Sequence, residues 1–217
     1  MIIKRIASSA TWCLRGEDKE TDGKMDHFNL GAHSRTVSTS SPEAQRWFNL
    51  GLNWCFGFNK EEGVKCFLRA LDHDPECAMA YWGAAYGTGP FYNFTWREHG
   101  EKEADAAASR ASEHIEKARA LSHRATDLEN KLIEALARRY QKPHVVTLEE
   151  FDRWDDDYAA EMRRVYYNYP DDHGGPGLRS AGSQVLWRGA KGRASSLCAR
   201  WRAWRPCLLL FPRVHAK

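Results

Sequence analysis

The chain is expected to be all-α, built from about three antiparallel helix-turn-helix repeats between irregular ends. Three observations predict this. Helix-start signals recur at short intervals from residue 41 to 170, and no stretch alternates apolar and polar residues as a half-buried strand would. One set of small and aromatic residues also returns in a helical register.

The first helix opens at Ser41-Pro42-Glu43, a cap followed by proline at the first helical position, where no N–H is needed. Asn59 stands three residues before Glu62 and opens the second helix, and Asp74-Pro75 repeats the cap-proline form for the third. Thr126 with Glu129, and Thr147 with Glu150, have the spacing of capping boxes. In such a box the hydroxyl accepts the third backbone N–H, and the carboxylate reaches back to the N–H of the cap.

Between these starts, Trp47, Leu50, Gly51 and Trp54 read W-x2-L-G-x2-aromatic. Gly63, Phe67, Ala70 and Pro75 complete a 34-residue unit over 44–77. Gly51, Gly63 and Ala70 are expected to let two antiparallel helices approach closely, with Trp47, Trp54 and Phe67 filling the space around the contact. Tyr81, Ala84 and Ala85 begin a second unit, with Ala111, Ile115 and Ala118 at its second-helix offsets. Ile133, Leu136, Ala137 and Tyr140 begin a third, completed by Tyr158, Met162, Val165 and Pro170. Extra residues inside the second and third units read as inserted loops.

At these positions the chain resembles the tetratricopeptide repeat family, with Gly63 where alanine is usual. The run SPEAQRWFNLGLNWCFGFNKEEGVKCFLRALDHDPECAMAYWG, followed by GPFYNFTW, is similar to a group of longer tetratricopeptide-repeat (TPR) proteins of fungi and bacteria. The likeness covers residues 25–172. It implies a TPR-like solenoid and a noncatalytic protein–protein interaction scaffold, and it supplies no chemistry and no cofactor. The resemblance also implies a partner-binding groove lined by Gln45, Phe48, Leu52 and Cys55, then Met79, Trp82 and Tyr86, then Lys131, Glu134 and Arg138. Aromatic anchors beside charges suit a protein or peptide partner, while Phe48 and Trp82 are equally suited to packing between repeats. The insertion TGPFYNFTWREHGEKE places Tyr92, Asn93, Trp96 and His99 in a loop. That loop reads either as a lid at the groove edge or as aromatics packed on the repeats.

Composition divides the chain further. Of 32 basic residues, nine follow residue 172, where there is no acid, so the 23 before it face all 29 acids. An acidic body therefore precedes a basic tail. Three domains are expected: an irregular N-terminal extension over 1–40, the repeat domain over 41–172 and a Trp/Arg-rich tail over 173–217. Beyond Asp172 the register calls for another helix, and His173-Gly174-Gly175-Pro176-Gly177 supplies none of its signals. The tail can be read as a nucleic-acid-binding arm, as a membrane-surface segment, or as an out-of-frame or truncated end of the gene model. The abrupt loss of register favours the last, and nucleic-acid binding through the tail is the alternative function. A third repeat without its successor is expected to expose an apolar face around Tyr158, Met162 and Val165, allowing self-association.

Cys13, Cys55, Cys66, Cys77, Cys198 and Cys207 form no CxxC pair and no metal-ligand spacing, so reduced thiols in a cytoplasmic protein are expected. The acid-free start MIIKRIASSATWCLRG makes mitochondrial import the alternative location. No apolar run reaches the ~18 residues of a membrane span. Asp72-His73-Asp74 lacks a second ligand cluster and carries no metal expectation, while Glu149, Glu150 and Asp155–Asp157 read as a solvated acidic face. No nucleophile–base pair or phosphate loop is visible, so no catalytic residue is assigned.

One binding mode is excluded. Chaperone-binding members of the family that this chain resembles clamp a C-terminal carboxylate with lysines and asparagines at inner groove positions, where this chain has Phe48, Leu52 and Trp82. An acidic chaperone C-terminal peptide titrated into the protein should give no calorimetric signal, and tight binding would refute the groove assignment.

Overall fold

A computed structural model of the chain describes residues 30–91, 94–144 and 146–169. Among them are six α-helices, α1 (Pro42–Phe56), α2 (Lys60–His73), α3 (Ala78–Thr88), α4 (Glu101–Ala120), α5 (Asp127–Ala137) and α6 (Leu148–Asn168), with a 3-10 turn at Ser122–Arg124. No strand occurs among the described residues, so the all-α class holds for them. None of these helices is long and apolar enough to cross a membrane.

The helix starts follow from local chemistry. Ser41 Oγ accepts the Ala44 N–H, Asn59 Oδ1 that of Glu62, Thr126 Oγ1 that of Glu129 and Thr147 Oγ1 that of Glu150. At Thr126 the box closes, since Glu129 Oε2 takes the Thr126 N–H at 2.7 Å. The turn from α1 into α2 is a Schellman motif. Asn59 N–H reaches the Trp54 carbonyl and Phe58 N–H that of Cys55, with Phe58 at φ 66°.

Asp74 departs from expectation. It closes α2 rather than opening α3, which starts at Ala78 behind Cys77 with no side-chain cap. Its carboxylate instead takes the Glu76 N–H (3.1 Å) and the Thr39 hydroxyl, and its carbonyl takes the Cys77 N–H. Pro75 thus lies in a turn stabilised by an aspartate, as Asp-Pro pairs often do.

Each helix packs on the next, and α1 on α3 and α3 on α5 also touch. The first three helices meet closely at the Phe67 ring of α2. A Cβ on Gly51 of α1 would lie 2.7 Å from that ring, and a Cβ on Gly83 of α3 would lie 2.5 Å from it. The ring is thus held between the backbones of two helices, with Phe48 tilted against it at 5.5 Å. Gly63 is equally constrained, because its Cβ would meet Cys55 Sγ at 2.5 Å. Glycine at this position makes room for the Cys55 sulfur.

Two further expectations are corrected. Tyr158, Met162 and Val165 are buried, so the described protein has no exposed apolar face at those residues. Asp155 does not lie on a solvated face either: it is buried, while Asp156 and Asp157 are exposed.

Alanine at Gly51 or Gly83 should destabilise the protein by about 1–3 kcal/mol, although alanine is otherwise worth ~1 kcal/mol over glycine in a helix. Phe67→Leu combined with either should recover part of that loss. Urea unfolding followed by helical circular dichroism measures both. Alanine variants more stable than wild type would show that the ring is not clamped.

Candidate functional site

The side chains assigned to the groove separate into two sets. Phe48, Leu52, Cys55, Met79, Trp82 and Tyr86 are buried in the core, and Trp82 donates its indole N–H to the Leu132 carbonyl at 3.1 Å while stacking on Tyr86. Lys131, Glu134 and Arg138 are exposed on or next to α5. Glu134 is engaged by Arg119 of α4 at 2.9 and 3.1 Å. Gln45 lies between these sets, and its neighbours form a surface that sequence reasoning missed.

Gln45, Asn49 and Asn53 stand four residues apart and so share one stripe of α1. Against this stripe runs the segment 33–39, which has no helix and belongs to the expected N-terminal extension. Asn53 Nδ2 donates to the His33 carbonyl (2.9 Å), and the Arg35 N–H donates to Asn49 Oδ1 (3.0 Å). Gln45 Nε2 donates to the Arg35 carbonyl (2.8 Å), and the Val37 N–H donates to Gln45 Oε1 (3.0 Å). Residues 33, 35 and 37 therefore pair with 53, 49 and 45.

The match is geometric. Four helical residues rise about 6.0 Å, and two extended residues span about 6.6 Å. A carboxamide on every fourth residue of a helix thus meets every second residue of an antiparallel extended chain. Each carboxamide carries both a donor and an acceptor, so it can serve either backbone group. All four contacts go to main-chain atoms and read no side chain.

Side-chain contacts follow at the end of the segment. Val37 is buried, and Ser38 gives both its N–H (2.8 Å) and its hydroxyl (2.5 Å) to the carboxylate of Glu129 on α5. His33 lies 5.4 Å from the Phe56 ring. Burial, with the neighbouring Arg35 charge, lowers its pKa below the ordinary histidine value.

A second polar cluster lies inside the fold, where Gly89-Pro90 ends α3. Lys60 Nζ donates to the Tyr86 and Pro90 carbonyls (3.1 and 3.3 Å), Arg139 Nη1 to that of Pro90 (3.1 Å), and the Tyr140 hydroxyl to that of Ala85 (3.2 Å). These donors satisfy carbonyls that a buried helix end would otherwise leave bare. Arg139 Nε pairs with Asp155 at 2.6 Å, both side chains almost wholly buried. Burial opposes the arginine charge, and the carboxylate more than offsets this, so the Arg139 pKa lies above its ordinary value. Burial pushes Tyr140 up to about 12.

The insertion joins this cluster. Trp96 is buried and stacks on Phe151 of α6 at 4.2 Å, with half-buried His99 beside it at 5.4 Å. Tyr92 and Asn93 lie outside the described residues, as do the segments 1–29 and 170–217, including the basic tail. Cys55, Cys66 and Cys77 are free and buried, and burial pushes their thiols up to about 11, about 12 and about 11. Among the described residues no cluster of His, Cys, Asp or Glu is placed to hold a metal ion.

Comparison with protein-family models, curated proteins and solved structures returns no match for the chain.

Arg139→Met should destabilise the fold by about 3–5 kcal/mol, because it strands a buried carboxylate. Adding Asp155→Leu should restore most of that stability, as removing both charges avoids the desolvation cost. Urea midpoints of the two variants check this, and equal losses would show that the pair does not act as a unit.

Proposed function

We propose that the chain is a noncatalytic scaffold of the tetratricopeptide-repeat type that binds a partner protein through an extended segment laid along α1. The carboxamide ladder of Gln45, Asn49 and Asn53 carries this reading, because it accommodates an extended backbone and already holds one. Support also comes from the packing order, in which alternate helices touch as well as consecutive ones. The groove expected along the first helices becomes a narrower face. Its apolar members Phe48, Leu52 and Trp82 build the helical body, and the amide stripe beside them makes the contact.

Affinity capture with the full chain tests this. Asn49→Ala with Asn53→Ala should reduce the captured partners several-fold while the helical signal stays intact. Glu116→Ala on the outer surface of α4 should change nothing. Identical partner sets from all three proteins would refute the ladder as a binding face.

A further inference from the structure

The segment 33–38 is the ladder's occupant in this structure, and its attachment is of an exchangeable kind. Its first three rungs are hydrogen bonds between neutral groups, each contributing about 1 kcal/mol net. They engage His33, Arg35 and Val37 only through backbone atoms. Any extended chain carries the same donors and acceptors. The closest side-chain contacts are at two adjacent positions, the buried Val37 side chain and Ser38 against Glu129, with the His33 ring tilted on Phe56 further along. Glu129 is itself buried and also receives the Thr126 N–H and hydroxyl, so an acidic residue at the Ser38 position would face an established carboxylate.

We propose that residues 33–38 are a displaceable occupant in cis of the α1 ladder, so that an extended partner segment binds by exchanging with them. This rests on the scaffold reading above. The incoming segment carries a Val-like residue followed by serine or threonine, with no acid at either position. Tethering makes the occupant a strong competitor, since a short linker holds it at an effective concentration of roughly millimolar. Partner affinity is therefore set by how readily the segment opens as well as by contacts on the ladder.

Two measurements on the full chain test this. In hydrogen exchange on the wild type, the amides of Arg35, Val37 and Ser38 should be protected, yet exchange at least about tenfold faster than those in the middle of α1. Exchange at the α1 rate would mean that the segment leaves only when the protein unfolds, and would overturn the proposal. In the second measurement, a dye-labelled peptide of residues 31–40 is titrated into the wild type, Val37→Asp and Ser38→Asp. Both variants should bind it at least about tenfold more tightly than wild type. A peptide N-methylated at its Arg35 and Val37 positions should lose that binding.

Ser38→Asp leaves the apolar contact in place, so it serves if Val37→Asp fails to fold. Loss of helical structure in both variants would make the segment part of the core and overturn exchange. Failure of a folded variant to bind the peptide, or equal binding of the N-methylated peptide, would do the same. These outcomes are separable from the capture experiment. A segment that opens and rebinds while the ladder variants capture unchanged partners sinks the scaffold reading alone.

Discussion

The Phe67 ring between Gly51 and Gly83 fixes the distance between α1 and α3, and other contacts inherit that distance. A ring that touches one helix could retreat from it. A ring that touches two backbones cannot, because movement away from one presses it into the other. With α1 so placed, its inward stripe of Ala44, Phe48, Gly51, Leu52 and Cys55 is buried. The neighbouring stripe of Gln45, Asn49 and Asn53 then faces the side along which residues 33–39 run. These residues continue to Glu129 on α5 at Ser38 and then to Asp74 at the end of α2 at Thr39. A contact spanning 91 positions in sequence is thus possible only because three helices are held in one relation.

The interior and the ladder use different physics. Arg139 and Asp155 are charges removed from water, and neither can lose the other without leaving an ion stranded. Their pairing is rigid for that reason. The ladder bonds are neutral and partly solvated, so water can replace each rung at little cost when the segment lifts. One buried ion pair thus gives a locked junction, whereas four ladder bonds give an exchangeable one. Burial and charge, more than bond count, separate the two.

Local signals were the legible part of the fold. Ser41, Asn59, Thr126 and Thr147 cap the helices expected of them because a cap depends only on the next three residues. Asp74 misled because an Asp-Pro pair suits a turn as well as a helix start. Asp155 misled for another reason. It lies on the stripe of Phe151, Trp154, Tyr158 and Met162, where helical periodicity points inward, but its three-aspartate run reads as surface. Its partner Arg139 follows α5 and only tertiary structure brings it near. The ladder was missed because an extended segment has no period of its own. The signal lay on the helix instead, in carboxamides at 45, 49 and 53, of which only Gln45 was picked out.

The insertion after α3 shows how an irregular segment can belong to the core. Ending a helix at a buried Gly89-Pro90 leaves carbonyls that cannot reach water, and an uncapped end there would be costly. Lys60 from α2 and Arg139 from beyond α5 converge on the Pro90 carbonyl, so two separate elements support one break. Gly89 is required at the corner, because a Cβ there would lie 1.8 Å from the Tyr140 hydroxyl. Beyond it Trp96 stacks on Phe151, tying the far side of the loop to α6. The described part of the loop is consequently pinned at both ends by buried groups. A segment fastened that way is poorly suited to act as a lid, whereas His33, Arg35 and the Val37 N–H meet the α1 carboxamides through main-chain atoms alone.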